Sequence, residues 1–355
     1  MLELSDMFEN KENRTELSQL GEFGLIEHLA SSIHNKNIST IKGIGDDCAV
    51  VDHGGKKILL TTDMLLEHVH FDLSYVPLKH LGYKAIAVNL SDIYAMNGEP
   101  EQVLVSLGMS NRFSLDAIEE LYSGMLLCCE KHGVDLVGGD TNSSVTGLTI
   151  SVTAIGTAGD GKIVYRKGAK ENDLVCVSGD LGAAYVGLQV LEREKLVFKD
   201  NPNASIDLEG NDYILERQLK PEARRDIISH LKKLDIVPTA MIDISDGLAS
   251  ELLHICRQSE KGCALFEEKI PMDPMTIDRA KEFGLDPTIC ALSGGEDYEL
   301  LFTVDIKDHE KLRNDPNITM IGHITDKNAG CSMISRSGSS IELTAQGWDA
   351  FLKRP

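Results

Sequence analysis

The sequence has no run of about 18 consecutive apolar residues, which a membrane-spanning helix needs. Residues 1–16 are polar and acidic and do not combine a basic start with an apolar stretch, so we expect no secretory signal peptide. Cationic residues are also scarce, since 35 Lys and Arg face 56 Asp and Glu, giving a formal net charge of −21. This excess argues against nucleic acid or an anionic membrane surface as the partner. We therefore predict a cytoplasmic protein with neither partner.

Several short functional motifs are also missing. No G-x-x-x-x-G-K-[ST] phosphate loop occurs, and Gly43-Ile44-Gly45 lacks the third glycine of a dinucleotide fingerprint. Neither H-E-x-x-H nor G-x-S-x-G is present, which argues against zinc-protease and α/β-hydrolase chemistry. The eight cysteines include no C-x-x-C pair. Their scatter predicts reduced, mostly buried thiols rather than a disulfide framework or a zinc site.

The composition is that of a globular protein, with 42% apolar and 26% charged residues over a length of 355. That length predicts about two domains. A Gly- and Asp-rich turn at residues 158–162 indicates the boundary, so we predict an N-terminal domain over residues 1–159 and a C-terminal domain over residues 160–355. Strand patterns such as 149–157 and helix patterns such as 78–96 and 221–234 follow no regular alternation. Two α+β domains are therefore favoured over a doubly wound parallel fold.

Carboxylates recur beside glycine or a small hydroxyl residue, each time just past a predicted strand. The segments are Gly45-Asp46-Asp47, Thr61-Thr62-Asp63, Gly138-Gly139-Asp140-Thr141, Asp243-Ile244-Ser245-Asp246-Gly247 and Gly294-Gly295-Glu296-Asp297. Asp92 is a further acid, inside an otherwise apolar helix pattern. One such acid is usually a turn residue or a helix N-cap. Mg²⁺, however, prefers carboxylate and phosphate oxygens, so the repetition favours a multi-metal phosphate site.

Two further features leave alternatives open. His68 and His70 flank Val69 and would point the same way on a strand, as a metal pair, a substrate contact or, most simply, structural histidines. Arg166 follows the predicted boundary and stands near Gly168. An arginine in a cleft can clamp phosphate, whereas a solvated loop cation is the simpler interpretation.

Taken together, these motifs resemble those of the thiamine-monophosphate kinases, from the superfamily that includes aminoimidazole ribonucleotide synthetase. The resemblance extends over residues 21–351. Its most specific segments are Gly43-Ile44-Gly45-Asp46-Asp47-Cys48-Ala49, Thr61-Thr62-Asp63, Ala87-Val88-Asn89-Leu90-Ser91-Asp92, Val137-Gly138-Gly139-Asp140-Thr141, Asp243-Ile244-Ser245-Asp246-Gly247-Leu248 and Leu292-Ser293-Gly294-Gly295-Glu296-Asp297-Tyr298-Glu299-Leu300. Residues 195–210 form a longer segment than is usual in the family.

The resemblance implies ATP-dependent phosphorylation of thiamine monophosphate to thiamine diphosphate, with several Mg²⁺ ions and ATP as co-substrate. It also implies two α+β domains of the aminoimidazole ribonucleotide synthetase-like type, the N-terminal one pairing into a β-barrel-like core of a homodimer. The implied metal ligands are Asp47, Thr61, Thr62, Asp63, Asp92, Asp140, Asp243 and Asp246. The implied nucleotide contacts are Tyr122, Gly139, Asp140, Arg166 and Ser245. The implied substrate contacts are His70, Glu296 and Trp348.

The expected reaction is a direct in-line attack by a phosphate oxygen of thiamine monophosphate on the γ-phosphorus of ATP. That nucleophile is already an anion, so positioning and electrostatic stabilisation matter more than a general base. Two alternatives stay open at this point. One is another ATP-dependent activity of the same superfamily, such as aminoimidazole ribonucleotide synthesis. The other is a non-catalytic module that binds divalent cations or nucleotide.

Overall fold

The computed structural model describes residues 37–158, 162–201 and 208–345, together with positions 24, 26–28, 30 and 31. The predicted substrate contact Trp348 and part of the long 195–210 segment lie outside these residues. None of the described helices is both long and apolar enough to cross a lipid bilayer.

The described strands form two mixed sheets. In chain order they are β1 (Thr40–Lys42), β2 (Ala49–His53), β3 (Lys56–Leu66), β4 (Glu99–Met109), β5 (Asp135–Ser143), β6 (Thr149–Ala158), β7 (Leu174–Ser178), β8 (Ala240–Asp243), β9 (Gly262–Phe266), β10 (Leu300–Val304), β11 (Ile318–Thr325), β12 (Cys331–Ile334) and β13 (Ser340–Glu342). The helices are α1 (Leu78–Ala95), α2 (Leu115–His132), α3 (Ala183–Asp200), α4 (Asp212–Leu219), α5 (Arg225–Lys233), α6 (Leu248–Ser259), α7 (Pro274–Glu282), α8 (Pro287–Ser293) and α9 (His309–Leu312).

Sheet 1 has the strand order β1-β2-β3-β6-β4-β5, with only the β4–β5 pair parallel. Strand β6 alternates strictly between buried and partly exposed residues, and Ile150, Val152 and Ala154 form its buried face as the sequence predicts. This inner face packs against α1, which packs in turn against α2. The two helices approach closely because Gly82 and Gly124 have no side chain; a Cβ on Gly82 would lie 1.9 Å from the Leu121 carbonyl oxygen.

Sheet 2 has the order β13-β12-β9-β11-β7-β10-β8, with only the β9–β12 pair parallel. Its central strands β7 and β10 are buried on both faces, which explains why they consist of apolar runs. One face packs with α6 around Leu252 and Ile255. The other face joins a core that continues through α1 to the inner face of sheet 1, so α1 lies between the two sheets.

The change of sheet falls between Ala158 and Leu174. The predicted division after residue 159 stays a prediction, whereas the α+β class is confirmed. Within the described residues neither sheet closes into a barrel.

Some predicted boundaries are wrong. The helix predicted over 221–234 begins only at Arg225, because the backbone of Arg224, with φ −83° and ψ 55°, is outside the helical region. The Thr61-Thr62-Asp63 segment lies inside β3 rather than beyond it, because β3 stays paired with β6 as far as Leu66. Similarly, β5 continues through Asp140 to Ser143.

Candidate active site

Three aspartates converge at the junction between α1 and the two sheets. One carboxylate oxygen from each of Asp47, Asp92 and Asp243 lies within 4.8 Å of the other two. We call these residues, together with neighbouring Asp46 and Asp63, the acid cluster. Asp46 and Asp47 lie in the loop between β1 and β2, and the other three come from β3, α1 and the end of β8. The fold therefore brings together acids that are far apart in the chain.

Neighbouring hydroxyl groups orient two of these carboxylates. The Thr61 hydroxyl donates to Asp92 Oδ2 at 2.5 Å, and the Ser91 hydroxyl donates to Asp243 Oδ2 at 2.5 Å. In β3, the backbone N–H of Asp63 donates to Asn89 Oδ1 at 3.0 Å. Since Asn89, Ser91 and Asp92 all belong to α1, this helix aligns the cluster from one side.

Arg166 binds the opposite side of the acid cluster. Its guanidinium donates to Asp47 Oδ1 at 2.6 Å, and its backbone N–H donates to Asp46 Oδ1 at 3.1 Å. The Arg166 side chain is only 20% exposed, so it is not the solvated loop cation of the simpler interpretation. The second oxygen of Asp47 is buried and has no hydrogen-bond partner among the described residues.

Burial and mutual repulsion raise the pKa values of four of these carboxyls. The pKa of Asp46 rises to about 6 through burial and the charge of Asp47, and that of Asp63 rises to about 6 for the same reasons. The pKa of Asp243 rises to about 7, and burial with Asp63 and Asp243 nearby raises the pKa of Asp92 well above its usual value. One arginine therefore does not neutralise the acid cluster.

A magnesium site fits this arrangement. Mg²⁺ coordinates oxygen at about 2.0–2.1 Å, so oxygens on one ion are at most about 4.2 Å apart. The 4.8 Å limit on the Asp47, Asp92 and Asp243 oxygens requires little movement to meet that geometry. The orphaned Asp47 oxygen and the raised carboxyl pKa values are also what a cation would relieve.

The raised pKa values make the stability of the metal-free protein depend on pH. Folded Asp243 and Asp92 retain protons above the unfolded aspartate pKa of about 3.9, so stability falls as pH rises. Burial lowers the pKa of His132 and of His254 to about 4, so these two groups make stability rise with pH. Their contribution ends near pH 6.5, the pKa of an unfolded histidine. We therefore expect the melting temperature in EDTA to fall between about pH 6.5 and 8.

Differential scanning calorimetry with and without Mg²⁺ checks this expectation. Mg²⁺ should remove the part of the slope that comes from the acid cluster, leaving the contributions of Asp297, whose pKa burial raises to about 7, and of Glu251, whose pKa burial also raises. A melting temperature in EDTA that rises over this pH range would contradict it.

The predicted residues Ser245 and Asp246 lie in the loop after β8, against Glu251 of α6. Glu251 Oε1 accepts from the Asp246 backbone N–H at 2.9 Å and from the Ser245 hydroxyl at 3.3 Å. Burial and the charge of Asp246 raise the pKa of Glu251 well above its usual value. Glu251 thus holds this loop in place beside Asp243.

The second end of the site, which we call the Glu296 end, is built around that carboxylate. Glu296 Oε1 pairs with Lys84 Nζ at 3.0 Å, and Gln218 Nε2 donates to Glu296 Oε2 at 2.8 Å. Burial lowers the pKa of His70, against the opposing effect of the Glu296 charge. The charge of Glu296 therefore acts on His70, the other predicted substrate contact. Lys84 Nζ extends from α1 to the Gln218 carbonyl oxygen of α4, at 3.3 Å.

The backbone around Glu296 is unusual. Glu296 and Tyr298 have φ of 58° and 51°, a conformation that non-glycine residues rarely adopt. Hydrogen bonds to the loop after β8 hold it, since Glu296 N donates to Ser245 O at 2.6 Å and Tyr298 N to Ile244 O at 2.8 Å. Burial raises the pKa of the partly buried Tyr298 well above its usual value, and the charges of Glu296 and Asp63 add to this effect, so both ends of the site act on this tyrosine.

His68 and His70 do not share a strand. They lie in a turn after β3, with His68 at φ 67°, because the chain reverses there and Glu67 bridges to Phe71. His70 Nδ1 accepts from the Leu66 N–H at 3.0 Å, while His68 Nδ1 lies 3.2 Å from Asp72 Oδ2. The two rings have different partners.

Four predicted residues lie away from the acid cluster. Asp140 is exposed and pairs across β4–β5 with Ser106, on the face of sheet 1 opposite α1. Packing requires a glycine at position 139, because a Cβ there would lie 1.7 Å from the Val105 carbonyl oxygen. Thr62 is exposed and bonds to β6, and Tyr122 packs partly buried against the core. Their predicted roles remain predictions.

Several residues that the structure places at the site have no role predicted from the sequence. They are Asp46, Lys84, Asn89, Ser91, Gln218, Glu251 and Tyr298. Asn89 and Ser91 are part of the segment that carries Asp92, so their position on one helix is the available signal. A buried lysine such as Lys84 has no such signal, because exposed lysines are common in helix patterns.

Sequence similarity to known proteins identifies the family of this chain. Residues 45–158 match the family model "AIR synthase related protein, N-terminal domain". The thiamine-monophosphate kinase of Aquifex aeolicus is 35% identical over 337 residues, covering 94% of this chain and 99% of that protein. That of Bacillus subtilis is also 35% identical, covering 94% and 100%. The chain belongs to the thiamine-monophosphate kinase family.

Structure comparison agrees with this family. A solved structure of AaThiL complexed with AMPPCP and TMP is 33% identical, with a TM-score of 0.80, and the match covers 96% of this chain and 100% of that one. Membership of the thiamine-monophosphate kinase family confirms the resemblance found in the sequence motifs. The match spans both sheets and therefore both ends of the site.

Proposed function

We propose that this protein transfers the γ-phosphoryl group of ATP to thiamine monophosphate, producing thiamine diphosphate in the cytoplasm. The observation that carries the proposal is the pairing of the acid cluster with the Glu296 end in one site, in a chain of this family. The related AaThiL structure contains AMPPCP, an ATP analogue, together with TMP. Both partners of the proposed reaction are thus compatible with one site of this fold.

Asp47, Asp63, Asp92 and Asp243 would hold Mg²⁺, with Asp246 in the loop after β8. Asp140 lies on the opposite face of sheet 1, away from these four. When bound, several Mg²⁺ ions would neutralise the charge of the phosphates and stabilise the charge that develops during transfer. Arg166 orients Asp47 and can bind a nucleotide phosphate, and Ser245, the other predicted nucleotide contact in this region, lies in the loop after β8 against Glu251. Gly139, Asp140 and Tyr122 stay predicted nucleotide contacts, and Thr61 and Thr62 stay predicted metal ligands.

The Glu296 end would bind the organic part of the acceptor. Lys84 and Gln218 hold the Glu296 carboxylate in one orientation, in which it can accept a hydrogen bond from the amine of the thiamine pyrimidine. The attacking phosphate oxygen is already anionic, so the in-line step needs no general base. The residues of the site position the two phosphates rather than move a proton.

Incubation of the full-length protein with MgATP and thiamine monophosphate tests the proposal. Product is measured as thiamine diphosphate by fluorescence after oxidation, with each substrate omitted in turn. Product that requires both substrates supports the kinase. ATP consumption only with formylglycinamidine ribonucleotide would instead identify the synthetase reaction, and ATP binding without turnover would identify a non-catalytic module.

We further propose that the N-terminal α+β region pairs with a second copy through the outer face of sheet 1, in a barrel-like core. Large apolar side chains lie open on this face, with Met64 53%, Leu104 36% and Val137 56% exposed. Such a patch is typical of a protein interface. Asp140 lies on the same face, so pairing would bring it to the interface.

We expect Leu104→Glu to convert the dimer to a monomer, because it places a charge in the middle of that face. Sedimentation velocity measures the change. The matched control is Ile306→Glu. Ile306 lies in the sheet 2 region and is 58% exposed. Unchanged sedimentation of the Leu104 variant would rule out this face as the interface.

A further inference from the structure

Three cysteines from distant parts of the chain meet beside sheet 2. Cys256 belongs to α6, Cys263 to β9 and Cys331 to the start of β12. Their sulfur atoms lie within 4.8 Å of one another. Cys263 and Cys331 are paired residues of the parallel β9–β12 ladder, so their side chains share one face of the sheet, and α6 packs there. We call these three residues the thiol cluster.

Main-chain hydrogen bonds fix all three positions. The Lys261 N–H donates to Cys256 O at 2.9 Å, and the Cys263 N–H donates to Gly330 O at 3.1 Å. The Leu343 N–H donates to Cys331 O at 3.0 Å. The sulfur atoms therefore converge on a rigid framework, and little ordering entropy remains to be lost when they bind a common ligand.

The donor set selects the kind of ligand. Among the described residues no carboxylate or imidazole belongs to this group, so its donors are all sulfur. Thiolates favour thiophilic cations such as Zn²⁺ and Cu⁺ over Mg²⁺. Sulfur atoms on a tetrahedral Zn²⁺ with Zn–S distances of about 2.3 Å are about 3.8 Å apart, so each pair of sulfur atoms has to approach by at most about 1 Å.

Burial favours the cation of higher charge. Cys256 and Cys263 are 2% and 1% exposed, within an apolar core that disfavours net charge. Three thiolates with Zn²⁺ leave a net charge of −1, whereas with Cu⁺ they leave −2. Cys331 is only partly buried, and this side gives the ion and a water molecule access to the cluster.

We propose that Cys256, Cys263 and Cys331 form a three-thiolate Zn²⁺ site with water as the fourth ligand. The site connects α6 with β9 and β12 and is separate from the acid cluster. Searches for closely spaced cysteine pairs miss it, because folding alone brings these three together. Its role is structural, so phosphoryl transfer does not depend on it.

Cadmium binding to the reduced full-length protein tests this proposal. Cd²⁺ on thiolates produces an ultraviolet sulfur-to-metal charge-transfer band, whereas Cd²⁺ on the acid cluster does not. We expect this band to saturate at one equivalent per chain and to be lost in Cys331→Ser. Cys290→Ser removes a buried thiol outside the cluster and should keep the band.

Zinc provides a second measurement that requires no variant. We expect Zn²⁺ to protect three thiols of the wild-type protein from alkylation, counted by mass spectrometry, and to raise its melting temperature. Kinase activity of Cys331→Ser should equal that of the wild type. Absence of the cadmium band, its persistence in Cys331→Ser, or an intact-mass loss of two hydrogens that dithiothreitol reverses would each overturn the zinc site.

Discussion

Asp92→Asn is expected to lower turnover about a thousand-fold while the metal-free protein becomes more stable. The loss follows from the position of Asp92 in the acid cluster, because removing a ligand of the stabilising cation costs several kcal/mol in the transition state. The gain follows because burial, with Asp63 and Asp243 near by, raises the pKa of Asp92, so that folding at neutral pH requires this group to take up a proton; a neutral amide avoids that cost. Thiamine diphosphate fluorescence measures the first effect, and the melting temperature in EDTA measures the second.

The control for this variant is Asp278→Asn, which makes the same chemical change on the exposed side of α7. It should alter neither quantity. Near-normal turnover of Asp92→Asn at saturating Mg²⁺ would remove Asp92 from the metal site. A lower melting temperature in EDTA would show that the Thr61 hydrogen bond matters more than the repulsion.

Arg166→Met is expected to destabilise the metal-free protein by about 3–5 kcal/mol, because it leaves the Asp47 carboxylate buried without its only cationic partner among the described residues. Mg²⁺ should restore most of this loss, since it supplies positive charge at the same place. Turnover should stay low at low ATP concentration even in Mg²⁺, because Arg166 is also a predicted phosphate contact. Urea unfolding with EDTA or Mg²⁺ measures the stability.

Lys42→Met is the matched control. Lys42 Nζ lies 3.7 Å from Asp46 Oδ2, but its side chain is 34% exposed, so the expected loss is below about 1 kcal/mol. Equal losses in the two variants would mean that general charge balance, rather than the Arg166–Asp47 contact, determines stability here. Failure of Mg²⁺ to rescue Arg166→Met would argue against a metal at Asp47.

Periodic patterns predicted the regular parts of this fold well. The predicted strand 174–178 matches β7, and the alternation in β6 correctly identifies its buried face. The start of α5 was predicted wrongly: the backbone of Arg224 is non-helical, and its side chain pairs with Glu299, which is far away in the chain. Such tertiary contacts leave no periodic trace in the sequence.

The chemistry of the site was predictable in part. Repeated acidic turns pointed to Asp47 and Asp243, and an acid inside an apolar helix pattern pointed to Asp92; the fold brings all three together. The partners Lys84 and Gln218 were not predictable, because their contacts with Glu296 depend on how α1 and α4 pack. The spacing of residues along the chain identified the acidic side chains of the site. It did not identify the neutral and positively charged side chains that hold those acids in place.

Helix α1 contributes Lys84 to the Glu296 end and Asp92 to the acid cluster. Eight residues of α-helix rise about 12 Å, and because α1 is held between two sheets, this length is fixed. The helix therefore sets the distance that an acceptor has to span. In the proposed binding mode, thiamine without a phosphate would stop short of the acid cluster, whereas thiamine monophosphate would reach it. This fixed distance favours extension of an existing phosphate over addition of the first one.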